Sequence, residues 1–243
     1  DFYELDDSKY GLILIKKGKY SQCVVNYPDI INGSFINDKD IQLFIGSIRD
    51  YDHIYICPDG KLYNLSFERV LNCLNISYLS SVQTLFDNDT DDGNTDQLVS
   101  FIYPDFSRTQ SEDNDRGDSK GVIYGSYLEG LFIHDNYGEK STIYSSYQAN
   151  HDNFLNTKRP RVLHVSTHGD YLDNENMEPM DRGILCLSGY NVEDNNSGYI
   201  SAKEIQYMDL KGTELVVLSA CNTGLGENIS GEGIYGIRRA FEL

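Results

Sequence analysis

The chain has 243 residues, enough for one large domain or two small ones, and its 40% hydrophobic and 24% charged content is ordinary for a globular protein. Its 38 acidic residues against 20 basic ones leave a net charge of −18, which repels phosphate backbones and argues against nucleic acid as a direct partner. No stretch approaches the roughly 18 apolar residues of a membrane span and no signal peptide is visible, so no membrane association is expected. Asp1 in place of an initiator Met leads us to expect a fragment or a processed chain with a further region upstream. Five cysteines, an odd number without CxxC spacing, argue against a disulfide framework and for a reducing cytoplasm.

In chain order, residues 10–15 (YGLILI) and 22–25 flank a Lys17-Gly18 turn and predict a β-hairpin. A short apolar strand, 53–57 (HIYIC), runs into a Pro58-Asp59-Gly60 turn. Ser66 can cap a helix that carries Phe67, Val70, Leu71 and Leu74 on one face. Residues 87–120 are acidic and rich in Asn and Ser, and read as a solvated loop around one strand at 98–103. Strands are predicted at 161–166 (RVLHVS) and 183–187 (GILCL), and a capping box, Ser201 to Glu204, opens a short helix. Residues 214–220 (ELVVLSA) form a nearly continuous apolar run, as for a parallel strand covered on both faces. Helical spacing of Ile234, Ile237, Ala240 and Phe241 predicts a last helix over 233–241. This order is that of an α/β fold with a mostly parallel sheet.

Chemistry in such sheets gathers at the carboxyl ends of the strands. Two of these ends carry reactive side chains, Ser166-Thr167-His168-Gly169 and Ser219-Ala220-Cys221-Asn222. A free thiol is only a few per cent thiolate at neutral pH and needs a base beside it, and imidazole has a pKa suited to that work. Gly169 lets the backbone turn so that its amide, with that of Cys221, can form an oxyanion hole. The expected reaction is acyl transfer, with His168 taking the thiol proton and Cys221 attacking a peptide carbonyl.

Residues 163–169 (LHVSTHG) and 215–241 (LVVLSACNTGLGENISGEGIYGIRRAF) resemble the two signature blocks of CHAT-domain peptidases, relatives of caspases and separases often found behind tetratricopeptide repeats in bacteria. Residues 198–210 (GYISAKEIQYMDL) are similar to the family's approach to the cysteine strand, and 58–67 (PDGKLYNLSF) to its upstream block, with Ser66 where proline is common. The resemblance implies a caspase-like three-layer sandwich with a mostly parallel central sheet, here extended by an N-terminal β-hairpin. It implies one such domain over residues 1–243, C-terminally incomplete, with 87–120 as an insertion. It makes His168 and Cys221 the catalytic dyad, and the Gly169 and Cys221 amides the oxyanion hole. The implied activity is a cysteine endopeptidase acting on a protein substrate, without cofactor, regulated by an upstream module or partner of the tetratricopeptide type. Asn222 and Glu232 are candidates for substrate binding; Asp170 and Asp181 lie near His168 in sequence, but nothing singles them out as a third catalytic acid.

Other readings are weaker. His164 and His168 sit four apart, but on a strand and without the Glu or third ligand a zinc site needs; His164 is read as a packed structural histidine. The glycines after Cys221 begin two phosphate-binding frames, but Ile229 stands where a dinucleotide motif needs glycine and Glu232 where a P-loop needs lysine. Arg238 and Arg239 read as the solvated face of the last helix. The rival in another class is a catalytically silent scaffold that binds a partner.

Overall fold

A computed structural model of the chain describes residues 1–73, 75–79, 82–85, 95–107, 120–174, 176–192, 198–221, 227–229 and 233–242. These fall into two compact units, Asp1–Asn88 with Asn228–Ile234, and Asp89–Glu227 with Tyr235–Leu243.

The first unit opens with an antiparallel sheet of β1 (Phe2–Asp6), β2 (Lys9–Lys16) and β3 (Lys19–Asn26). The predicted hairpin is there, and Lys17 and Gly18 both adopt positive φ at its two-residue turn, which matches the twist of the strands they join. Phe2, Tyr10, Leu12 and Val25 alternate onto one face. They pack with Ile30 of α1 (Tyr27–Ile31), Ile41 of α2 (Lys39–Ile45), Ile56 of β4 (Ile54–Ile56) and Phe67 and Leu71 of α3 (Phe67–Leu71). β4 pairs in parallel with β5 (Ile76–Tyr78). Asp38 caps α2 by accepting from the amides of Asp40 and Ile41. Ser66 sits at the N-cap of α3 but makes no side-chain cap there; its hydroxyl donates to Glu68 instead. The helix is also shorter than its apolar spacing predicts, because Asn72 turns into the left-handed region and ends it after Leu71. The unit carries a partly open apolar pocket of about 280 Å³; none of the residues lining it is a candidate site residue.

The second unit is built on a four-stranded parallel sheet. Its order is β12 (Leu215–Ser219), β8 (Val162–Ser166), β6 (Leu98–Pro104) and β7 (Ser141–Ser146). Alternation sends Val99, Phe101, Leu163 and Val165 to one face, where they bury Phe154 of α5 (His151–Leu155), Ala202 and Ile205 of α7 (Ala202–Ile205), and Ile237 and Ala240 of α8 (Ile237–Ala240). Phe101 stacks on Tyr144 of β7 and also meets Phe154, with ring centroids 4.8 and 4.7 Å away. The opposite face carries α4 (Tyr124–Tyr137). Gly130 lets α4 approach β6 closely, since a Cβ there would lie 2.2 Å from the Ile102 side chain. Helices on both faces of a parallel sheet give the three layers of the expected caspase-like α/β fold.

Between β8 and β12 the chain forms a smaller antiparallel sheet of β9 (Gly169–Tyr171), β10 (Gly183–Cys186) and β11 (Tyr199–Ser201), with α6 (Pro179–Arg182) ahead of β10. The Ser201–Glu204 capping box that opens α7 is present in both its bonds. The last segment departs from expectation. Glu227–Ile229 and Gly233–Tyr235 pair as β13 and β14, Gly236 is extended, and the helix begins only at Ile237. β12 differs as well: it pairs only with β8 among the described residues, so it is an edge and is half-buried rather than covered on both faces.

Candidate active site

β8 and β12 run in register from Val162 opposite Leu215 to Ser166 opposite Ser219. The Thr167 amide then donates to the Ser219 carbonyl at 3.3 Å, which carries the ladder one residue past the strands. His168 and Cys221 each stand two positions beyond the paired serines. They therefore leave adjacent strands at the same level. Cys221 is exposed and forms no disulfide.

His168 is half-buried, and its surroundings are well defined. Thr167 is buried and donates its hydroxyl to the Cys186 carbonyl, and the Cys186 amide donates back to the His168 carbonyl at 2.8 Å. The chain is thus tied to β10 at the point where it leaves the parallel sheet. The His168 ring lies 5.3 Å from that of Phe106, tilted by 43°, a common aromatic spacing. Its Nε2 is 2.8 Å from the carbonyl oxygen of Gly121. A carbonyl can only accept, so the neutral ring carries its hydrogen on Nε2 and keeps Nδ1 as the acceptor. The Gly121 contact was not legible in the sequence, because a backbone carbonyl leaves no mark in residue type.

Beneath the strand ends lies a polar cluster centred on Glu129 of α4. Its carboxylate accepts from the hydroxyls of Ser166 and Ser219, each at 2.7 Å. His164 Nε2 is 3.2 Å from the same carboxylate, within ion-pair distance but not aligned as a hydrogen bond. His164 Nδ1 meets the hydroxyl of buried Ser100 at 2.7 Å, so His164 is the packed structural histidine expected from its position. Burial pushes the Glu129 carboxyl up, but its contacts with Ser219, Ser166 and His164 outweigh this and hold it below its ordinary value. One carboxylate thus joins the end of β8 to the end of β12, two residues short of His168 and Cys221. Sequence reasoning missed Glu129, which reaches the two serines from 37 and 90 positions away along the chain.

The remaining candidates are placed as follows. Asp170 pairs with Lys120 at 2.8 Å, both side chains largely buried, and Asp181 pairs with Lys203 at 2.9 Å on the surface. Gly169 is buried at the start of β9. Asn222, Glu232 and the glycines at 224, 226 and 231 lie outside the described residues. Arg238 is exposed and pairs with Glu242 one helical turn on. No group of three or more His, Cys, Asp or Glu among the described residues is arranged to hold a metal, and no helix among them is long and apolar enough to cross a membrane.

A three-layer α/β unit with histidine and cysteine at the ends of adjacent parallel strands defines a domain of the caspase-like kind. The CHAT domain family profile matches residues 41–243, and the chain belongs to that family, which is associated with caspase-like cysteine peptidases. No curated protein and no solved structure matches the chain.

Proposed function

We propose that the chain is a cysteine endopeptidase with Cys221 as nucleophile and His168 as general base. The observation that carries this reading is the common level of the two residues on paired strands, together with the Gly121 bond that commits Nε2 and leaves Nδ1 as the basic nitrogen. In the proposed reaction, Nδ1 takes the Cys221 proton and the thiolate attacks a peptide carbonyl, whose oxygen gains the negative charge. The Gly169 and Cys221 amides stabilise that oxyanion. The resulting imidazolium protonates the leaving amine, and the acyl-enzyme is then hydrolysed by water with His168 acting again as base.

The substrate in this reading is a protein, and the net charge of −18 favours encounter with basic partners. Control by an upstream module or a partner protein belongs to the same proposal, and a full-length protein with constant, unregulated proteolysis would count against it. The test of the chemistry is alkylation by iodoacetamide, with the modified cysteine mapped in wild type and His168→Ala. Cys221 should react fastest of the five cysteines, and His168→Ala should slow it by about 10²-fold or more. Equal slow reaction of Cys221 in both proteins would favour a silent scaffold.

A further inference from the structure

The two contacts that define the His168 ring trace back to one residue. Asn191 lies in the turn that follows β10 and is 8% exposed. Its backbone amide donates to the Phe106 carbonyl at 2.9 Å, and nearby the Gly189 amide donates to the Asp105 carbonyl at 2.8 Å. Its side chain is bonded at both ends to the backbone of Lys120: Oδ1 accepts from the Lys120 amide at 2.7 Å, and Nδ2 donates to the Lys120 carbonyl at 3.0 Å. Phe106 supplies the ring against His168, and Gly121, next to Lys120, supplies the carbonyl on Nε2. Lys120 is anchored a second time through its ion pair with Asp170.

We infer that Asn191 is a positioning residue for His168, acting through Phe106 and Lys120–Gly121 to fix the orientation and tautomer of the imidazole; this rests on the thiol-peptidase reading above. The physical reason lies in where the chain is held. Phe106 lies in the turn that follows β6 and Lys120 ahead of α4, and neither is part of a strand that could place it. A buried side-chain amide that satisfies both the N–H and the C=O of one residue substitutes for a strand neighbour. No aliphatic side chain can do this, and a carboxylate can do only half of it. When the Gly121 carbonyl shifts away, the ring loses the acceptor that selects Nε2–H, and both neutral tautomers become populated. The fraction with the hydrogen on Nδ1 cannot take a proton there.

The inference is tested on the full chain with two readouts. The first is the ¹⁵N spectrum of His168 in histidine-labelled protein near pH 8, assigned with His168→Gln, which reads the tautomer without reference to activity. The second is the rate of Cys221 alkylation by iodoacetamide. Wild type should show a single Nε2–H tautomer, Asn191→Ala should show mixed tautomers, and the alkylation rate should fall by roughly tenfold, part of the full contribution of the base. Asn191→Asp keeps the acceptor for the Lys120 amide but cannot donate to its carbonyl, and should recover part of both losses. If Asn191→Ala fails to fold, Asn191→Asp carries the test, with a partial tautomer shift expected. A single Nε2–H tautomer and a wild-type alkylation rate in the folded variant would overturn the inference. If Cys221 in wild type reacts no faster than in His168→Ala, the peptidase reading fails, and the His168 tautomer still decides whether Asn191 positions the ring.

Discussion

β8 and β12 are paired residue for residue, and their sequences, VLHVS and LVVLS, are alike in apolar character. Leu163, His164, Val165 and Ser166 of β8 are nonetheless buried between two neighbouring strands, while β12 is the edge strand among the described residues, and its residues are half-buried or, at Leu215, exposed. An apolar run reports that a strand is suited to a parallel sheet; its position within the sheet is set by pairings distant in sequence. The difference carries over to the proposed chemistry. The base leaves the buried strand and is held by Phe106 and Gly121, whereas the nucleophile leaves the edge strand and is open to a substrate.

Truncation on the two strands gives the largest expected effect. Leu163 is fully buried, so Leu163→Ala should cost about 2–5 kcal/mol. Leu218 packs against the same core but is only partly buried, and Leu218→Ala should cost roughly 1–2 kcal/mol. Urea denaturation of the two variants checks the ratio. Equal losses would break the comparison and show that β12 is covered in solution as β8 is.

Glu129 joins the two strand ends, so its removal should be felt on both. Glu129→Ala leaves the Ser166 and Ser219 hydroxyls without their acceptor and should cost about 1–3 kcal/mol. Ser219→Ala, at the edge, should cost less than Ser166→Ala, which is buried. A double-mutant cycle between Glu129 and each serine separates the two contributions. If the serines couple equally to Glu129, the clamp does not distinguish the buried strand from the edge.

Much of this architecture was legible because local rules and tertiary packing agree. The hairpin turn, the Ser201 capping box and the strands at 98–103, 161–166 and 214–220 all follow from short-range pattern. α4 did not, because its apolar residues lie all round the helix. Ser126 and Gly130 are its buried contacts, while Tyr124, Leu128 and Phe132 are exposed, so no stripe marks its inner face. The final helix was overextended because Ile234 falls at helical spacing while the backbone there pairs as a strand. In the site, the residue types with reactive side chains stood out at the two strand ends. Their supports did not: Gly121 acts through a carbonyl, Asn191 and Glu129 through contacts far along the chain, and Asp170 is taken up by Lys120.

The smallest expected effect is the pH dependence of that same clamp. Burial raises the Glu129 carboxyl, but the contacts with Ser219, Ser166 and His164 prevail, so its folded value lies below the ordinary one near 4.5. A depressed carboxylate contributes stability that is fully present above its unfolded pKa and is lost as pH falls through the folded value. Wild type should therefore lose its advantage over Glu129→Gln as pH drops below about 4.5, while the difference stays constant between about pH 6 and 7. Thermal melts of the two proteins across pH 3–7 measure this directly. Because Glu129 is more than a third exposed, solvent screening keeps the effect small, and salt should reduce it further. A difference that does not change with pH would mean that Glu129 holds β8 to β12 through hydrogen-bond geometry alone, as a neutral glutamine would.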